Sequence, residues 1–279
     1  MGESMNSKKY KLKIRNITFS ILILIFTIGF FISVYNIIKW KLDNDKINKQ
    51  IDKIYNNVEI NETIDDNYTK IIEQTDQIQK SNPYWDFIKM NLIDVDFKKL
   101  KSINSSTKGW IKINGTNINY PFVQDNDNEY YLNHSFDKSY NKAGWVFLDY
   151  RNNIKLIDKN TIIYAHSRLD NTMFGSLKKI LKNSWYDNPN NHVIRMSTEH
   201  HNTLWQIFSI YIINTTNDYI KVSFDNKEFK DFGQMLLERS KYNFNTSINE
   251  DDKILTLSTC YNKTKKVVMH AKLIKIKNK

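Results

Sequence analysis

Apolar positions along the chain follow three different patterns. Residues 17–38, ITFSILILIFTIGFFISVYNII, form one uncharged run. At roughly 20 residues it has the length of a membrane-spanning helix. Beyond it the chain turns polar, and Ile47, Ile51, Ile54, Tyr55 and Val58 recur at helical spacing. This thin stripe predicts a helical stalk over residues 39–82. PYWDFIKMNLIDVDFKKLKSI, residues 83–103, predicts a second helical stretch leading into a domain. From Gly109 the period becomes that of strands. WIKINGTNINYPFV reads as two short strands around Asn114-Gly115, a strong hairpin signal.

Further strands are expected at GWVFLDY (144–150), NTIIYAH (160–166), HVIRMST (192–198), TLWQIFSIYII (203–213), DKILTLSTC (252–260) and KVVMHAKLIKI (266–276). Two helical stretches interrupt them. One is NTMFGSLKKILKN, after His166. The other spans residues 226–242, where Phe229, Phe232, Met235 and Leu236 share one face. Many short strands with turn signals predict a mainly β fold, a barrel or a sandwich. One domain over residues 83–279 is expected.

Charge gives the chain a direction. Lys8, Lys9, Lys11, Lys13 and Arg15 precede the apolar run. Such a flank stays cytoplasmic, so residues 1–16 read as a basic tail and the rest of the chain lies outside. A cleaved signal peptide has a shorter apolar region and a small-residue cleavage site. SVYNIIKWKLD, after Phe31, lacks that site, which favours a retained single-span anchor. The net charge of +11 suits anionic partners or a solvated basic surface. Only 7 Gly and 3 Pro leave little room for a long flexible linker.

The chain has one cysteine, Cys260. It therefore has no internal disulfide, and no multi-cysteine zinc site is possible. Glycine loops that cradle phosphate are also missing and no acidic cluster demands a metal, so neither metal nor cofactor is expected. In KILTLSTC, Leu255 and Leu257 share one face of the strand, and Thr256, Ser258 and Cys260 share the other. If the leucines face the core, Cys260 points away from it at a strand end. A free thiol outside the cell is either inert or reactive. A reactive one needs a nearby base or positive charge. Of the six histidines, His166 closes an apolar strand, where a rigid end can aim an imidazole.

The blocks YWDFIKMNLIDVDF, GWIKINGTNINYPFVQDNDNEYYLNHSFD, AGWVFLDYRN, NTIIYAHSRLDNTMFGSL, TLSTC and VVMHAKL occur in this order. Together they resemble the class B sortases, cysteine transpeptidases of Gram-positive bacteria. The resemblance covers about residues 84 to 276 and the N-terminal anchor. It implies a closed eight-stranded barrel with N-terminal helices and a helix before the cysteine strand. It implies that Cys260 is the nucleophile and His166 the essential histidine. The reaction implied is cleavage of an NPQTN-like sorting signal after Thr through a thioester, which a peptidoglycan amine resolves. The expected partners are signal-bearing surface proteins, the wall amine and, through the N-terminal helix, the membrane. Nucleic acid is not among them. A pilin-polymerising sortase and a silent wall-binding barrel are the competing readings.

The chain departs from the family pattern at its third catalytic position. An arginine is expected just before the last strand, and NKTKKVVMH offers Lys266 instead. Strand parity places Lys266 with Val268 and His270, on the groove side, and Lys265 on the other. Lysine supplies charge without the planar fork of arginine. Three readings follow. Lys266 does the arginine's work, Arg168 or Arg151 moves in, or the chain is a weak or specialised sortase. Alanine also stands before His166 where the family has glycine. Among groove positions, the resemblance assigns sorting-signal contacts to Ser258, Leu132, Thr215, Tyr219 and Ile220.

Overall fold

A computed structural model describes residues 2–63 and 84–279. The part of the expected stalk at residues 64–82 lies outside the described residues. The chain divides into two units, Met1–Lys49 and Gln50–Lys279. In the first, helix α1 begins. It runs over Gly2–Asn57 and is long and apolar enough to cross a membrane from Arg15 onward. The side chains of its apolar stretch are exposed, Phe19, Phe26, Phe30 and Phe31 among them.

In the second unit, β1 (Ile60–Thr63) pairs antiparallel with β2 (Leu92–Val95) in a two-stranded sheet. Between and after them come α2 (Tyr84–Ile88) and α3 (Phe97–Ile103). The helix expected over 83–103 is therefore two short helices with a strand between them. The run of Leu92, Ile93 and Val95 is buried, and a strand lets both of its faces pack. Asp96 caps α3 by accepting from the Lys98 N–H.

Eight strands then close a barrel. They are β3 (Thr107–Ile113), β4 (Asn119–Val123), β5 (Phe147–Leu148), β6 (Asn160–Tyr164), β7 (Val193–Thr198), β8 (His201–Asn214), β9 (Ile254–Cys260) and β10 (Lys265–Asn278). Around the barrel the order is β10-β8-β7-β3-β4-β5-β6-β9. Closure leaves no unpaired edge. The β3–β4 hairpin turns where expected, and Gly115 has a φ of +69°. The strand expected over 144–150 shrinks to Phe147–Leu148.

After His166 the expected helix forms as a 3-10 turn, Gly175–Leu181, followed by α4 (Asn183–Tyr186). Gly175 explains the tight start. A Cβ there would lie 2.2 Å from the Arg168 carbonyl oxygen. Helix α5 (Asn226–Glu238) forms as expected. Asp225 and Glu228 make a reciprocal capping box, and Phe229, Phe232 and Leu236 are buried. This helix covers the outside of the barrel, packing with Ile254, Phe208, Tyr211 and Val268.

The register of β9 decides which side chains reach the site. Leu257 lies opposite Met269 on β10 and Ile163 on β6, and all three are fully buried. This row faces the barrel interior. Ile254, Thr256, Ser258 and Cys260 alternate onto the outer face, under α5 and toward the strand's open end.

Candidate active site

Three strand ends and two loops meet at the C-terminal end of β9. Cys260 is its last residue and is half-buried. Opposite it on β10 stands Lys266, whose Nζ donates to Cys260 Sγ at 3.1 Å. Hydrogen bonds from a cation are strongest to an anionic acceptor. Lys266 shares the thiol's face, in keeping with strand parity, and Lys265 is exposed.

His166 arrives from the other side. Strands β6 and β9 run parallel, and their pairing ends at Tyr164↔Ser258. Two residues beyond that pair come Cys260, the last residue of β9, and His166, in the loop that follows β6. Thr259 Oγ1 ties the two strand ends together by donating to the Ala165 carbonyl at 2.7 Å. The loop after His166 folds back at once. Phe174 N–H donates to the His166 carbonyl at 3.0 Å, and Ser167 bridges to Met173. Ala165 in place of glycine brings no strain, because it is not among the described non-glycine residues of positive φ.

The imidazole is oriented from behind. His166 Nε2 lies 2.8 Å from the Leu132 carbonyl oxygen. A carbonyl only accepts, so Nε2 carries the hydrogen and Nδ1 is left for proton transfer. Leu132 thus meets the site through its main chain, a contact the sequence did not signal.

The other residues expected to line the groove cluster unevenly. Tyr219 Oη and Ser258 Oγ are 3.0 Å apart and share a hydrogen. Burial pushes the Tyr219 phenol above its ordinary value, so it stays protonated. Its electrostatic environment includes both Lys266 and Cys260. Ile220 follows directly and is half-buried. Thr215 is exposed, and its N–H and Oγ1 both bond the Thr264 carbonyl beyond the cysteine turn. The structure therefore brings Cys260, Lys266, Ser258 and Tyr219 together, and sets His166 against the Leu132 carbonyl.

The two arginines weighed as substitutes are engaged with carboxylates. Arg151 grips Asp149 through two bonds of 2.8 and 2.7 Å. Arg168 lies 3.4 Å from Asp170. Among the described residues, no three His, Cys, Asp or Glu side chains gather to hold a metal ion.

A closed mixed barrel with its one cysteine at a strand end, beside a cation, has the architecture of the cysteine transpeptidases. The chain belongs to the sortase family: the sortase domain model matches residues 111–274. Sortase B of Staphylococcus aureus (strain NCTC 8325 / PS 47) is 37% identical over 185 residues, 64% of this chain and 75% of the relative. The Staphylococcus aureus sortase B–substrate complex superposes with a TM-score of 0.60 at 32% identity, covering 75% of this chain and 95% of that one. A sortase B complexed with triglycine matches at 31% identity with a TM-score of 0.60, covering 76% and 96%. This chain is accordingly a cell-wall sorting transpeptidase that works through a cysteine, on an eight-stranded barrel of the sortase B kind.

Proposed function

We propose that the enzyme is anchored by residues 17–38, with its barrel outside the cell, and cleaves an NPQTN-like sorting signal after Thr. Cys260 Sγ attacks the Thr carbonyl carbon as its thiol proton passes to His166. The C–N bond breaks, and the leaving amine takes a proton from His166. The resulting thioester is attacked by a peptidoglycan amine, which gives its proton back to His166. An amide forms, the C–S bond breaks, and the surface protein is joined to the wall. No nucleotide is consumed, because the thioester conserves the energy of the cleaved amide.

Lys266 takes the place of the family arginine. It donates to the sulfur and supports the oxyanion that develops during attack. Ser258, Leu132, Thr215, Tyr219 and Ile220 line the groove for the signal. The observation that carries this reading is the 3.1 Å contact from Lys266 Nζ to the sulfur of the only cysteine. The substrate complex and the triglycine complex of sortase B relatives support the peptide and amine halves of the reaction. The full-length chain in detergent micelles, given a fluorogenic NPQTN-type peptide and an amine acceptor, tests it. Cleavage that disappears in Cys260→Ala is expected. Absence of cleavage across a broad peptide library would overturn it.

A further inference from the structure

The segment between β8 and α5, residues 215–225, contains neither helix nor strand. It carries Tyr219 and Ile220, two of the groove residues. Irregular segments of this length ordinarily move. Here three consecutive main-chain carbonyls are held by side chains from elsewhere in the fold. Arg151 Nη2 donates to the Ile220 carbonyl at 2.9 Å. Asn160 Nδ2 donates to the Lys221 carbonyl at 2.9 Å and reaches the Tyr219 carbonyl at 3.4 Å.

Both anchors are themselves fixed. Asn160 is fully buried at the start of β6. Its Oδ1 accepts from Thr256 Oγ1 at 2.6 Å. Thr256 Oγ1 in turn lies 2.9 Å from His270 Nδ1, and His270 Nε2 lies 2.8 Å from Tyr211 Oη. One assignment of hydrogens satisfies every link. Tyr211 donates to His270 Nε2, His270 Nδ1 to Thr256, Thr256 to Asn160, and Asn160 to the loop. Arg151 is clamped by Asp149, which also accepts from Tyr164 Oη at 2.9 Å and Asn128 Nδ2 at 3.0 Å. A third tie closes the segment's outer side, where Arg239 bonds both carboxylate oxygens of Asp218.

We propose that Arg151 and Asn160 are positioning residues that hold the Tyr219–Lys221 backbone in its peptide-binding shape before substrate arrives. The idea rests on the groove assignment above. Its physical content is preorganisation. The ordering of the groove wall is complete in the free enzyme, so binding does not have to supply it. Neither residue touches the reacting atoms. Their loss loosens peptide binding and leaves the thiol alone.

Arg151→Lys in the full-length enzyme is the test. Lysine keeps a charge for buried Asp149, but one ammonium cannot hold two carboxylate oxygens and the Ile220 carbonyl together. Loss of one such bond predicts a KM for the signal peptide raised roughly fivefold, with kcat changed less than about twofold. The rate at which iodoacetamide alkylates Cys260 stays as in the wild type. An unchanged KM overturns the proposal. So does an alkylation rate that falls in step with kcat, which would mean that Arg151 serves the thiol. If Arg151→Lys does not fold, Asp149→Asn/Arg151→Gln removes the anchor without burying an unpaired charge and carries the same expectations. A wild-type enzyme that forms no thioester would sink the sorting reaction and this inference together. A wild type that does, beside a variant of unchanged KM, sinks this inference alone.

Discussion

The two faces of β9 do opposite things with the same seven residues. Inward, Leu255, Leu257 and their neighbours Met269 and Ala271 make an apolar row that is fully buried. Outward, the row grades from Ile254 under α5, through the hydrogen-bonded Thr256 and Ser258, to the half-buried Cys260. Alternation by two puts stability on one face and chemistry on the other. The outer face is buried for most of its length, and its hydroxyls are satisfied there by Asn160, His270 and Tyr219. Only the last position opens, and a thiol that is fixed but accessible is what nucleophilic attack needs.

The comparison can be broken from the outer face first. Cys260→Ala is expected to lower transpeptidation at least about 1,000-fold with the melting temperature little changed, read by peptide cleavage and thermal unfolding. Leu257→Ala, one face over, should do the reverse. It is expected to cost about 3 kcal/mol of stability, measured by denaturant unfolding, because a fully buried leucine leaves a cavity. A Leu257→Ala enzyme as stable as the wild type would contradict the assignment of the inner row.

The buried outer face has its own signature in acid. Burial is the main cause that pushes His270 down to about 3, with Arg239 adding to it. The folded chain therefore refuses a proton that the unfolded chain binds below about 6.5. Stability is unaffected above that value and falls as pH drops from there toward 3. On this linkage the loss reaches on the order of 2 kcal/mol by pH 5. His270→Gln, compared with the wild type in urea unfolding at pH 7 and pH 5, should remove that part of the pH dependence. An equal pH dependence in both would contradict it.

A smaller effect is expected at Lys266. Lys266→Ala should lower kcat about tenfold, or about 1.4 kcal/mol. Lys266→Arg should keep or raise it, since the fork restores a bidentate donor. An unchanged rate in Lys266→Ala would hand the role to another group.

Much of this arrangement was readable in the chain. Strand period located all eight barrel strands, and parity put Lys266 rather than Lys265 beside the thiol. The shared face of Phe229, Phe232, Met235 and Leu236 marked α5. What period could not read was tertiary. The stretch 83–103 has helical composition, yet Leu92–Val95 pairs with β1 because a partner strand is there to take it. The stretch after His166 looks helical but tightens to a 3-10 turn where Gly175 meets Arg168. Arg151 and Asn160 carry no local signal for their contacts with the 219–221 carbonyls, which lie about 60 to 70 residues away. Leu132 serves through a carbonyl, which every residue has.

The central claim is that the sulfur of Cys260 carries the acyl group during the reaction. Intact-mass spectrometry of the full-length enzyme, mixed with an NPQTN-type peptide and quenched in acid, tests it most directly. The account predicts an adduct with the mass of the acyl fragment on Cys260, cleared by added amine and absent from Cys260→Ala. Turnover without that adduct, or an adduct that survives in Cys260→Ala, would contradict it.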